Sequence, residues 1–277
     1  MIMEQEKVEF YKVRSTSEII SATIAVFKEG IKPLLLSLLF IIIPYALLEI
    51  VIQDAFVVDA QNSGSPVDTF TKVLAMILLM TVMLTLVTVV SYSYLKIYRK
   101  KENVSEITVG DIWSEVAEHG LQFLLGMFLY FIFIVIGFVL LFLPGIWISI
   151  ALSLMFPVII FEGKNAFDSI GRSHHLIKNY WWNTCGLLFL AVLIYYLVSL
   201  VFMVPSFVFG AMMGLNGMQE DIVSSPLIPI FAAIASFAYL FYPIIYIASA
   251  FQYFNLVEIK EAKGLQDKVD LIGQQSK

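Results

Sequence analysis

The chain has 277 residues, 60% of them hydrophobic and only 14% charged, with a formal net charge of −5 at pH 7. Ordinary soluble domains carry about 25% charged residues, so this composition excludes a conventional water-soluble globule; the small net charge says nothing about nucleic acid, which is not among the expected partners. A mean hydropathy of +0.87 points to a bilayer, where charge acts by position rather than by sum.

The first residues, MIMEQEKVEFYKVRST, mix both signs of charge and lack the apolar core of a secretory signal. The stretch STSEIISATIAVFKEGIKP follows, with Ser17 or its neighbour Thr16 reading as a helix N-cap. Ile20, Ile24 and Phe27 then fall on one face at helical spacing. A first span runs from Pro33 to Gln53 with Glu49 as its only charge, and a second from Val73 to Leu95. Behind it come the bases Lys96, Arg99, Lys100 and Lys101, and a second amphipathic stretch, TVGDIWSEVAEHG, with Ile112, Trp113 and Val116 on one side.

Between Leu121 and Phe161 there is no Asp, Glu, Lys, Arg or His. One crossing needs roughly 20 apolar residues, so this tract predicts two, Leu121–Leu143 and Ile146–Phe161, turned tightly at Pro144-Gly145. The second arm spans only ~24 Å at 1.5 Å per residue, short enough to thin the bilayer or to re-enter it. A third amphipathic stretch, NAFDSIGRSHHLIKNYWW, puts Phe167, Ile170, His174 and Ile177 in register. The fifth span covers Trp181–Val204, and the uncharged tract Val204–Gln219 reads as an outer loop or a half-helix tucked back. The sixth covers Pro226–Leu256 and is expected to bend at Pro243, because proline lacks the backbone donor and clashes with the preceding turn.

Sixteen of the seventeen Lys and Arg residues lie before the first span, after the second, after the fourth or after the sixth. The alternate segments hold Lys72 beside Asp54, Asp59, Asp68, Glu220 and Asp221. This alternation predicts six spans with both termini cytoplasmic. Tyr92, Tyr94 and Tyr98 flank the basic cluster, Tyr180, Trp181 and Trp182 open the fifth span, and Trp147 sits beside the outer turn, as interfacial aromatic belts do.

The expected fold is all-α: a polytopic protein of six transmembrane helices plus three amphipathic helices lying apolar side down on the cytoplasmic leaflet. Residues 1–260 form one membrane domain and 261–277 a polar cytoplasmic tail. The first and third amphipathic stretches superpose without a gap at an offset of 150, Glu18 on Asp168, Ile20 on Ile170, Phe27 on Ile177 and Lys28 on Lys178. The middle one needs a gap to bring Gly120 onto Gly30. Three units of helix, span, short loop and span, about 15–95, 108–162 and 164–257, would account for the chain.

Chemistry is sparse. Ionisable residues deep in a bilayer usually mark function, and within the six cores there is only Glu49, near the outer end of its span, where a snorkelling carboxylate is the simpler account. His174 and His175 are adjacent and diverge by about 100° on a helix, so they cannot share an ion, and no ligand set completes them. No catalytic signature is present. Gly210 and Gly214 match a small-residue packing pattern, and Cys185 reads as an apolar filler.

The segment Leu143–Phe189 contains a Leu-Pro-Gly-Ile-Trp turn, Pro157, Glu162-Gly163, Ser169, Arg172-Ser173 and the pair Trp181-Trp182. In these elements it resembles the YciC-like bacterial inner-membrane proteins and the membrane domain attached to some glycerophosphoryl diester phosphodiesterases. The resemblance implies a bacterial inner-membrane location and no particular activity. The hydrolase of the fused relatives is a separate soluble barrel, for which this chain has no room after Leu256.

The reading is a non-catalytic membrane protein without cofactor or metal, acting as a scaffold or a lipid-contacting, membrane-organising module. Its partners are membrane lipids, anionic headgroups among them. Candidate contacts for a headgroup or a partner are Lys96, Arg99, Lys100, Lys101, Glu162, Arg172, Ser173, Lys178, Trp181 and Trp182. The alternative is a transporter or channel for a small or amphipathic solute.

Overall fold

A computed structural model describes residues 8–61, 66–140, 142–215 and 227–275. In chain order the helices are α1 (Thr16–Glu29), α2 (Ile31–Gln61), α3 (Pro66–Lys100), α4 (Val109–Leu140), α5 (Phe142–Ala151), α6 (Met155–Glu162), α7 (Ala166–Ile177), α8 (Trp181–Leu215), α9 (Leu227–Ser236), α10 (Pro243–Glu261) and α11 (Lys263–Gln275). Short 3₁₀ turns occupy Val104–Glu106 and Phe237–Phe241.

Among the described residues, six helical stretches are long and apolar enough to cross a membrane: Ile31–Ile52, Thr69–Lys100, Val109–Leu140, Phe142–Glu162, Trp181–Met212 and Leu227–Glu261. They leave large side chains such as Phe40, Phe70, Phe128 and Phe207 exposed along their length. In water such contiguous apolar surface would drive aggregation; in lipid it is the face turned to the solvent. The protein is an all-α, multi-pass integral membrane protein.

Two compact units divide the chain, Met1–Leu34, Val89–Val192 and Ile244–Lys277 forming one and Leu35–Thr88 with Leu193–Pro243 the other. The first is built on aromatic packing. Tyr92, Tyr94, Tyr98, Phe123, Phe251, Tyr253 and Phe254 are fully buried. Phe10 stacks on Phe251 at 5.5 Å and meets Phe254 edge-on at 5.1 Å, while Phe161 lies 4.8 Å from Phe254. The N-terminal segment is tied to α10, the Arg14 amide donating to Asn255 Oδ1 at 2.9 Å. In the second unit, Tyr45 meets Tyr239 edge-on at 6.0 Å, Tyr195 meets Tyr242 at 4.5 Å, and the Ser236 hydroxyl donates to Glu49 Oε2 at 2.6 Å.

Several local expectations need revision. The N-cap of α1 is Ser15, in a full capping box with Glu18, rather than Ser17 or Thr16. The buried stripe of α1 is Ile19, Ile20, Ala22, Thr23, Val26 and Phe27, so its apolar side is spent on the protein's own core rather than on lipid. The second amphipathic stretch is no separate helix: it is the start of α4, which runs unbroken through Gly120. The third does form its own helix, α7, and keeps Phe167 and His174 of its expected lipid-side stripe outside the protein core. Ala166, Ser169, Ser173, Leu176 and Ile177 are buried, whereas Phe167 is exposed.

Pro144 and Gly145 do not make the hairpin turn. They lie in the first helical turn of α5, where a missing proline N–H costs no intrahelical bond. Gly137 and Gly145 instead bring α4 and α5 together backbone to backbone, since a Cβ on Gly137 would stand 2.8 Å from Gly145 Cα. The return arm is broken between α5 and α6 at residues 152–154. The sixth span is interrupted before Pro243 as expected, by the Phe237–Phe241 turn. Val204–Leu215 continues α8 as helix, which removes the outer-loop reading there; residues 216–219, Glu220 and Asp221 lie outside the described residues. The polar tail carries a helix, α11.

Candidate functional site

The segment from Glu162 to Trp182 is set by its turns. Gly163, at φ 67°, closes α6 in the left-handed conformation that glycine takes most readily. Asn165 then caps α7, its Oδ1 accepting from the Asp168 amide at 2.9 Å. At the far end Asn179 takes φ 75°, and the Tyr180 amide folds back onto the Ile177 carbonyl at 2.7 Å. Trp181 opens α8 directly afterwards.

Arg172, in the middle of α7, is the centre of a charge network. Its Nε donates to Glu162 Oε1 at 2.8 Å, and its Nη1 and Nη2 donate to the two carboxylate oxygens of Glu261, the second at 3.0 Å. Tyr253 donates to Glu162 at 3.1 Å, and Lys164 lies 3.3 Å from the same carboxylate. Hydrogen bonding to Glu261, and then to Glu162, raises the affinity of Arg172 for its proton above the ordinary arginine value despite burial. The guanidinium thus joins the C-terminal ends of α6 and α10 to α7. Ser173, fully buried, donates to the Ala151 carbonyl at 2.8 Å.

A second network joins α3 to α4. Lys96 pairs with Glu115, Lys100 approaches the same carboxylate at 3.6 Å, and Lys101 bonds Asp111 Oδ2 at 2.6 Å. Arg99 lies over the rings of Tyr11, Phe161 and Phe254 at 5.9, 5.8 and 5.6 Å. Ligand atoms of Glu115, Glu118 and His119 come within 4.8 Å of one another. The cationic place beside Glu115, however, is taken by the Lys96 ammonium, which also sits 3.3 Å from His119 Nε2.

Of the ten candidate contacts, Lys96, Lys100, Lys101, Glu162 and Arg172 are therefore committed to internal ion pairs, Arg99 to aromatic rings and Ser173 to a backbone carbonyl. Lys178, Trp181 and Trp182 remain on the surface or half-exposed, and beside them an open cleft of about 630 Å³ is lined by Leu143, Pro144, Ile146, Trp147, Ile148, Trp181 and Trp182. The Trp181 indole donates to the Trp147 carbonyl at 3.2 Å, and the His174 ring packs 5.7 Å from that of Trp147. Sequence reasoning placed Trp147 at the outer turn, across the membrane from Trp181; the structure joins the two. It also missed Glu115, Glu261 and Lys260. Glu115 was signalled by His119 four residues on, and Glu261 by its place directly after the last span.

Comparison of the chain with family models, curated proteins and solved structures gives no match.

Proposed function

We propose that this is a non-catalytic, lipid-contacting module of a bacterial cytoplasmic membrane, with both termini on the cytoplasmic side. One observation carries the reading. Arg172 is held in fixed pairs with Glu162 and with Glu261, and the surface beyond them is an indole-lined cleft, with Lys178 exposed three residues before Trp181. Ser173 in that segment is buried and donates its hydroxyl to the Ala151 carbonyl. The alternation of Lys and Arg between segments supports the orientation, and the resemblance of Leu143–Phe189 to YciC-like proteins supports the bacterial membrane.

Native mass spectrometry of gently extracted protein tests this. Anionic phospholipid retained at fixed stoichiometry is the expected result, and loss of every lipid adduct under conditions that keep the protein folded would overturn it. Labelling of a cysteine placed in the 57–65 stretch tests the orientation: it should react only from outside.

A transport reading is favoured by a separate observation, the Glu49 carboxylate hydrogen-bonded by Ser236 beside the Tyr45–Tyr239 pair in the second unit. Flux of a small cation or amine into vesicles that Glu49→Gln abolishes would establish it in place of the lipid reading.

A further inference from the structure

We infer that the cleft between Leu143–Ile148 and Trp181–Trp182 holds one anionic phospholipid, its chain against the indoles and its headgroup on Lys178 and Lys260. The inference rests on the lipid-contacting reading and names its site and ligand class.

The walls come first. Trp181 spends its one N–H on the Trp147 carbonyl, so its ring contributes apolar surface without an unsatisfied donor. Trp182 stands edge-on to it at 4.7 Å and is 79% exposed. Leu143, Pro144, Ile146 and Ile148 complete a lining of apolar side chains. A large exposed indole beside an apolar groove suits the boundary between headgroup and acyl chain.

Charge then selects the occupant. Lys260 places its ammonium against the His175 and Lys178 carbonyls at the end of α7, where the helix dipole favours a cation, and 5.8 Å from the ring of Tyr180, the residue before Trp181. An ammonium has three donors, and two are used here. Lys178 is exposed. Among the described residues neither lysine has a carboxylate within ion-pair distance, in contrast to Lys96, Lys101, Lys164 and Arg172. Glu261, the nearest acid in sequence to Lys260, is held by Arg172. Two uncompensated ammonium groups beside an apolar groove match a phosphodiester headgroup joined to an acyl chain.

The test uses the protein's own indoles. A Trp113→Phe background leaves Trp147, Trp181 and Trp182 as its tryptophans. This protein is placed in phosphatidylcholine vesicles in which either the phosphatidylcholine or an added phosphatidylglycerol carries brominated chains, which quench indoles on contact. Brominated phosphatidylglycerol is expected to quench at a mole fraction lower by on the order of tenfold, as two surface lysines imply. Lys178→Gln with Lys260→Gln should abolish that preference while leaving quenching by brominated phosphatidylcholine intact. Equal quenching by the two lipids before mutation would overturn the inference. So would relief of quenching by excess inorganic phosphate, which would assign the lysines to a free anion. Anionic lipid retained in native mass spectra but unaffected by the double substitution would leave the broader lipid reading standing and remove this site alone.

Discussion

Arg172 and Glu261, 89 positions apart, are joined by two parallel N–H···O bonds, so that the end of the last span and the middle of α7 move as one piece. Arg172 also reaches Glu162 at the end of α6, and the Arg172 and Glu162 side chains are only 17% and 14% exposed. A planar guanidinium can serve two carboxylates at once; a lysine ammonium cannot reproduce that fork.

Arg172→Ala is therefore expected to destabilise the protein by about 3 kcal/mol, because it strands two partly buried carboxylates. Arg172→Lys should recover only part of the loss. Adding Glu162→Gln and Glu261→Gln to Arg172→Ala should restore some stability by removing the orphaned charges. Unfolding in detergent followed by circular dichroism reads all three variants. A triple variant less stable than Arg172→Ala alone would show that the carboxylates are not stranded by loss of the arginine.

Gly30 and Tyr94 form a second interlock. A Cβ on Gly30 would stand 1.5 Å from Tyr94 Oη and 2.3 Å from Cζ, and that hydroxyl donates to the Val26 carbonyl at 3.2 Å. Gly30→Ala must displace a fully buried ring and break its hydrogen bond, at a cost of about 3 kcal/mol. Tyr94→Leu removes the ring atoms that clash, so the double variant should lose less than the sum of the two single losses. Strict additivity in the same unfolding measurement would refute the contact.

How much of this was legible beforehand follows from the range of each interaction. Hydropathy and the break before Pro243 depend on runs of neighbouring residues, and both are found in the six apolar stretches and in the Phe237–Phe241 turn. The cap of α1 was not legible, because Ser15, Thr16 and Ser17 are all competent. Contact decides for Ser15: the Arg14 amide just ahead is tied to Asn255, which fixes where the chain enters the helix. The inward face of α7 was not legible for a related reason: the stripe through Phe167 and Ile170 marks the side expected on lipid, whereas the helix packs on the core through small residues, Ser169 and Ser173, and leaves Phe167 outside. Pairings such as Arg172 with Glu261 leave no local trace at all.

The α1 cap carries a pH dependence. Glu18 accepts from the Ser15 amide and hydroxyl, both at 2.7 Å, and these bonds, the backbone one first, hold its carboxyl below the ordinary value. A carboxyl depressed in the folded state contributes fully above its unfolded pKa, about 4.3, and loses that contribution as pH falls through the folded value. Wild type should therefore exceed Glu18→Gln in melting temperature at pH 7, and the gap should close as pH drops below about 4. Ser15→Ala removes the cap's acceptor and should cost about 1 kcal/mol. A gap that stays constant down to pH 3 would mean that the carboxylate does not support the cap.

The contact between Trp147 and Trp181 constrains the hairpin of α4 and α5. Trp181 follows Lys178 by three residues, and its indole reaches the Trp147 carbonyl at 3.2 Å, so Ile146 cannot lie a full membrane thickness from Lys178. The apolar layer is about 30 Å thick. Spin labels on cysteines at positions 146 and 178, in a Cys185→Ser background, should give a distance well below that thickness in lipid nanodiscs. Gly137→Leu would force α4 and α5 apart, since Gly145 backbone stands where its Cβ must go, and should lengthen or broaden that distance while leaving the Arg172 network in place. A distribution centred at 30 Å or more in the unmutated hairpin would put the two labels on opposite faces, and the indole cleft would not exist in the bilayer.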